Sequence, residues 1–136
     1  MATLQEAITE IQALVGALTG IRKAPTAAPE SASAFPFAVC YPESGHWERV
    51  SDWKKGLHTV VVEVHVARID LARDIASALS YSESLVNALL NAPTLGGKVD
   101  TIVGPISYKF GEMKYAGQPT LGWQFRVTFK QQSAVG

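Results

Sequence analysis

Leu121-Gly-Trp-Gln-Phe-Arg-Val-Thr-Phe-Lys130 puts Trp123, Phe125, Val127 and Phe129 at every second position, with Gln124, Arg126, Thr128 and Lys130 between them. Successive side chains of a strand point to opposite faces, so this run is a half-buried strand whose aromatic face needs a covering layer. Just upstream, residues 99–103 and 106–115 have strand character and lead through Ala116-Gly-Gln-Pro-Thr120 into the alternating run. The C-terminal third is therefore predicted to be sheet.

The rest of the chain supplies more strands and the cover. Residues 35–41, 46–53 and 57–67 read as strands, separated by the turn signals Pro42-Glu-Ser-Gly45 and Lys54-Lys-Gly56, and such short turns imply antiparallel neighbours. In the third segment Val60, Val62, Val64 and Val66 share one face, while Thr59, Val61, Glu63, His65 and Ala67 share a mixed one.

At the N-terminus, Thr3-Leu-Gln-Glu6 is a capping box, and Leu4, Ile8, Ile11, Val15 and Leu18 recur at helical spacing up to a stop at Gly20. A second helix is predicted from a cap at Asp70, with Leu71, Ile75 and Leu79 on one side and Leu85, Val86, Leu89 and Leu90 continuing the stripe. Ser80-Tyr-Ser-Glu83 repeats the capping-box pattern, so a break and restart is expected there, and Pro93 with Gly96-Gly97 closes the helix. The order of helix, strands, helix and strands gives an α+β fold with a mainly antiparallel sheet. Residues 24–34, rich in Ala, Pro and Ser, read as an extended connector or as an arm laid on a neighbour.

With 136 residues, 47% of them hydrophobic, the chain suits a single domain around one core. Twelve basic and twelve acidic side chains cancel, which argues against a general attraction to nucleic acid or an anionic membrane. The distribution is uneven: from Lys98 onward Lys98, Lys109, Lys114, Arg126 and Lys130 face only Asp100 and Glu112, leaving the earlier part acidic. Random clustering on a solvated surface is the preferred reading of that asymmetry, with head-to-tail meeting of like subunits as the alternative. The sequence has neither a signal-peptide pattern nor an apolar run of membrane-spanning length, so a cytosolic protein is expected. The single cysteine, Cys40, lies in Phe37-Ala-Val-Cys-Tyr41, which excludes an internal disulfide and reads as a small core residue.

Chemistry-bearing patterns are few. His58 and His65 are an odd number of positions apart on one predicted strand and so point to opposite faces, and His46 stands apart from both. Glu63 and His65 share a face and could form half of an acid/base or metal site, but no third ligand accompanies them, and a polar pair at a surface or subunit contact is the expectation. Gly16-Ala-Leu-Thr-Gly20-Ile-Arg-Lys23 lacks P-loop spacing and ends a helix instead of opening one. Glu43, placed in a turn, with Glu48 and Asp52 reads as a solvated hairpin. No catalytic, metal or cofactor residue is expected. Trp47 and Trp53 are an even number apart, so one strand would carry both on one face with Arg49 between them, as core or as an interface hot spot. Nucleic-acid binding through these rings and Lys54-Lys55 is the weaker option, since a basic track is missing.

Pro93-Thr-Leu-Gly-Gly97, Val99-Asp-Thr-Ile102, Ile106-Ser-Tyr-Lys-Phe-Gly111, Tyr115-Ala-Gly117 and Thr120-Leu-Gly-Trp-Gln-Phe-Arg-Val-Thr-Phe-Lys130 together resemble the end of the tail-terminator proteins of long-tailed bacteriophages, also called tail-completion or neck proteins. Gly20-Ile-Arg, Pro25, Pro29 and Phe35-Pro-Phe-Ala-Val-Cys-Tyr-Pro42 are similar to the same group, so the resemblance covers most of the chain. It implies a non-enzymatic virion protein, present in host cytoplasm during assembly, that forms a six-membered ring. The ring would close the tail tube and join it to the head-side connector or stopper, with DNA passing through it and no sequence-specific contact. A head-to-tail adaptor or stopper is the near alternative, and a small enzyme or ligand-binding domain using the Glu63 and His65 face is a third. The expected contact residues are Trp47, Arg49, Trp53, Glu63, His65, Tyr115 and Gln118, the last two in a loop facing a partner ring.

Overall fold

The computed structural model describes residues 3–18, 36–66, 71–115 and 117–135, and for residues 71–74, 77, 115 and 118 the backbone alone. The stop at Gly20, the connector 24–34 and the cap Asp70 lie outside the described residues, as do the side chains of Tyr115 and Gln118. The elements run α1 (Leu4–Gly16), β1 (Phe37–Val50), β2 (Trp53–Val66), α2 (Leu71–Leu90), β3 (Thr101–Tyr115) and β4 (Gln118–Ala134). Four antiparallel strands form one sheet in the order β1-β2-β4-β3, which is the predicted α+β architecture.

Both helices pack on one face of the sheet, α1 against β1 and α2 against β4 and β2. Beneath them Ala38, Cys40, Val60, Val62, Val64, Trp123, Phe125, Val127 and Phe129 meet Ile8, Ile11, Val15, Leu85 and Leu89 in one core. Register places Val60 opposite Val127, Val62 opposite Phe125 and Val64 opposite Trp123, so the two alternating strands present their apolar faces to the same side. Trp123 also donates from Nε1 to the Ala78 carbonyl at 2.7 Å, tying α2 to the sheet.

Thr3 caps α1 as the capping box predicts: Glu6 N donates to Thr3 Oγ1 at 3.2 Å, and Thr3 N donates to Glu6 Oε1 at 3.4 Å. Gln131 reaches this end from β4, its Nε2 donating to the Thr3 and Lys98 carbonyls at 2.9 and 3.0 Å.

Several expected boundaries are corrected. Pro42-Glu-Ser-Gly45 is not a turn. β1 runs through it, and the register slips by one residue between Pro42 and Ser44, a bulge that an edge strand accommodates because its outer side needs no proline N–H. Glu43 therefore sits in a bulge, not in a turn. Lys54-Lys-Gly56 is likewise mid-strand, and the chain instead reverses between paired residues Val50 and Trp53, with Ser51 in the left-handed region at φ 58°. The predicted strands 99–103 and 106–115 are one strand, bent where the register shifts between Val103 and Ser107.

α2 does not restart at Ser80. Tyr81, Leu85 and Leu89 continue a buried stripe through that point, and the Ser84 hydroxyl donates to the Ser80 carbonyl at 3.1 Å, one turn back, within the same helix. Leu79 and Leu90, expected on the apolar stripe, are exposed, because Ala78, Tyr81, Leu85 and Leu89 define the inward side.

Candidate functional site

β1 and β2 together make a ribbon whose far end extends beyond the helices, and every β1 side chain from Tyr41 to Val50 is exposed. Because the turn falls at residues 51–52, Trp47 and Trp53 belong to different strands, and the register separates their faces. Val50 pairs with Trp53, Arg49 with Lys54 and Trp47 with Gly56, so Trp47, Arg49 and Lys54 share the helix-side face while Trp53 and Val50 share the other. The expected common face of the two tryptophans is thereby corrected. It rested on a turn at 54–56 that would have left both rings on one strand.

On the helix side, Lys54 Nζ lies 4.6 Å from the Trp47 ring centroid, and the His58 ring packs edge-on against the same indole at 4.4 Å. His58 and Trp47 both lie over Gly56: a methyl group there would come within 2.2 Å of His58 Nε2 and 2.8 Å of the indole carbons, so a side chain at this position would displace both rings. On the opposite face Val50, Trp53 and Ala134 form one row across β1, β2 and β4, and Val135 N donates to the Asp52 carbonyl at 3.0 Å beside it.

A second cluster lies on the same sheet face as Trp53 but nearer the middle. Glu63 accepts from Tyr41 Oη at 2.5 Å, Gln124 Nε2 at 3.0 Å and His65 Nε2 at 2.8 Å, and His65 Nδ1 lies 2.7 Å from Thr120 Oγ1. A carboxylate only accepts, so Nε2 donates to Glu63, while Nδ1 and the Thr120 hydroxyl share the second hydrogen bond. His65 is fully buried and stacks on Phe37 with centroids 4.9 Å apart and planes 8° off parallel. Beyond this cluster Arg126 Nε donates to both oxygens of Glu43 at 3.0 Å, closing the β1 bulge onto β4.

Burial disfavours charge on Glu63, but the hydrogen bonds from His65, Tyr41 and Gln124 outweigh it and hold its carboxyl below the ordinary value of 4.5. Desolvation, reinforced by the Glu63 carboxylate, pushes the Tyr41 phenol up to about 12. His58 is depressed below its ordinary 6.5 by burial and by nearby His46, and its Nε2 has no hydrogen-bond partner. Cys40 is buried as expected, its thiol pushed up to about 12 by desolvation.

No protein-family model matches the chain, and a search of curated proteins found no match.

The structure thus joins Glu63 and His65 as one hydrogen-bonded pair, keeps Trp47 with Arg49, and moves Trp53 to the opposite face. His65 presents no surface to a neighbour, because it is sealed beneath Phe37. Tyr115 and Gln118 pair at the end of the β3–β4 hairpin. Both His65 nitrogens are engaged, so the cluster's evident work is to hold three strands in register. Tyr41, Thr120 and Gln124 escaped sequence reasoning because only the pairing of β1, β2 and β4 brings them to Glu63.

Two shallow hollows flank the ribbon. One of about 280 Å³ lies between Leu4, the β1 bulge, Trp47 and His58. The other, about 300 Å³, runs along His46, Glu48, Lys55, Leu57 and Lys130. Among the described residues no group of three His, Cys, Asp or Glu side chains is arranged to hold a metal ion, and no helix is long and apolar enough to cross a membrane.

Proposed function

We propose that this chain is a self-assembling structural protein of the tail-terminator kind, whose ring closes a phage tail tube and joins it to the head-side connector. The observation that carries the self-assembly is the open sheet: in the order β1-β2-β4-β3 both outer strands have one edge without a strand partner among the described strands. Unpaired edges are templates for another chain, and a heterologous contact between unlike surfaces generates a ring when its rotation closes. The β1 bulge between Pro42 and Ser44 and the β3 irregularity between Val103 and Ser107 interrupt both outer strands, which limits indiscriminate edge-to-edge growth. The assignment to phage tails rests on the sequence resemblance.

Native mass over a concentration series, with negative-stain imaging of the particles, tests the proposal. A discrete closed oligomer, six-membered by the resemblance, that seats on the ends of tail tubes is the expected result. A chain that stays single at every concentration and leaves tubes open sinks it. A ring that binds connectors but not tubes points to the adaptor alternative.

A further inference from the structure

The histidines differ in what holds them. His46 is exposed and His65 has both ring nitrogens engaged, whereas His58 is only 5% exposed and its Nε2 has no hydrogen-bond partner. Its ring is boxed in where the covered half of the ribbon meets the uncovered half. The imidazole stands edge-on to Trp47 with centroids 4.4 Å apart and to Phe129 at 5.8 Å. Glycines make the space for it: a methyl group on Gly45 would come within 2.7 Å of Nδ1, and one on Gly56 would strike Nε2.

We propose that His58 is an acid-sensitive latch: a proton taken up by the imidazole drives the ring away from Trp47, and the indole swings off Gly56, opening the helix-side face of the ribbon tip. The latch needs one chain only, so it stands apart from the self-assembly reading.

Both nitrogens of an imidazolium are donors, so the charged ring would aim an N–H from Nε2 at no acceptor, which a buried ion does not tolerate. The surrounding charges make it worse. On β2, Lys54 holds its Nζ 4.6 Å from the Trp47 centroid, so the indole that would welcome a cation already serves one. On β1, the charge of His46 opposes a proton on His58, while Glu43, in the same hollow, is bound by Arg126. From α1 Leu4 faces the hollow, and the nearby acid Glu6 is engaged with Thr3 and Lys98. β4 contributes the uncharged Phe129 and, in the next row, Gln131.

Burial and the His46 charge hold His58 below its ordinary 6.5, so the latch is shut at neutral pH and opens in mildly acid solution. What opens is local. Side chains from Tyr41 to Val50 are exposed already, and the Trp47 contacts with His58, Lys54 and Gly56 are what pack the helix side of this half. Once they part, the hollow of about 280 Å³ between Leu4, the β1 bulge, Trp47 and His58 loses two of its walls.

The test is a titration of the full-length chain from about pH 7.5 to about pH 5, followed by NMR through the His58 ring protons and the indole N–H signals of the three tryptophans, that of Trp47 being assigned with Trp47→Phe. The Trp47 signal is expected to move with the same midpoint as His58, below 6.5, while that of Trp123, which is tied to the Ala78 carbonyl, stays in place. His58→Gln cannot take up the proton and should hold the Trp47 signal still across the range, and His46→Gln should raise the wild-type midpoint. The wild-type measurement decides the matter even if His58→Gln folds poorly. A Trp47 signal that ignores the titration of His58, one that moves equally in His58→Gln, or a His58 that stays neutral throughout overturns the latch.

Discussion

The two halves of the β1–β2 ribbon share a backbone pattern and differ in what lies above it. Under α1, Ala38, Cys40, Val60, Val62 and Val64 are buried and joined into the core. Beyond the helix, on the same face, Trp47 stays exposed although it is as apolar as anything beneath it. Strand alternation therefore assigns a side chain to a face, and the reach of the covering layer decides whether that face is core. The two histidines of β2 show the same division. His65 is sealed with both ring nitrogens engaged, whereas His58, seven residues earlier on the opposite face, is buried near the ribbon's uncovered half with Nε2 unpartnered.

Substitutions that attack the covered half should cost most. Phe125→Ala leaves a cavity in the centre of the core, and a loss of about 3–5 kcal/mol is expected from urea unfolding. At the boundary between the halves, Gly56→Val drives a side chain into the His58 and Trp47 rings and should cost about 1–3 kcal/mol. A matching blue-to-red change in tryptophan fluorescence would report the displaced indole, and an unchanged unfolding midpoint would refute the close approach.

The polar cluster makes an acid-sensitive contribution. Glu63 has a lowered native pKa, so its stabilisation is complete above the ordinary value of 4.5 and is lost as pH falls through the lower native value. Glu63→Gln should cost about 1–3 kcal/mol at pH 7 and flatten the pH dependence below 4.5; equal slopes for the two proteins would show that the cluster does not titrate this way.

His58 is depressed in the same sense, so the unfolded chain takes up a proton that the native one refuses. Wild-type stability should fall as pH drops below 6.5, and His58→Phe should remove that portion of the slope, read as urea midpoints at pH 7.5 and 5.5. The smallest effect belongs to the tip. Trp53→Ala should cost monomer stability only about 1 kcal/mol, since two-fifths of the residue is already exposed to water. A large loss would mean that the tip belongs to the fold and not to an interface.

Much of this architecture was legible from local pattern. The period-two run through Trp123 and Phe129, the valine alternation of β2 and the Thr3–Glu6 capping box act within a few residues, so the sequence alone determined the class of fold, the capped start of α1 and the aromatic core strand. The position of the ribbon turn was not legible. Pro42 and Gly45 carry the composition of a turn, yet the edge position of β1 tolerates the proline and a bulge absorbs Glu43, while Ser51 and Asp52, without a glycine, make the reversal. That displacement alone put Trp47 and Trp53 on opposite faces.

Only the tertiary structure decided the partners of Glu63, the exposure of Leu79 and Leu90 and the two-faced tip. Each depends on residues far apart in the chain: Tyr41 and Gln124 reach Glu63 through strand pairing, and the rotation of α2 is set by which of its sides meets Trp123. Local sequence fixes dihedral preference and periodicity; register and cover are properties of the assembled layers, where a shift of one residue exchanges the two faces of a strand.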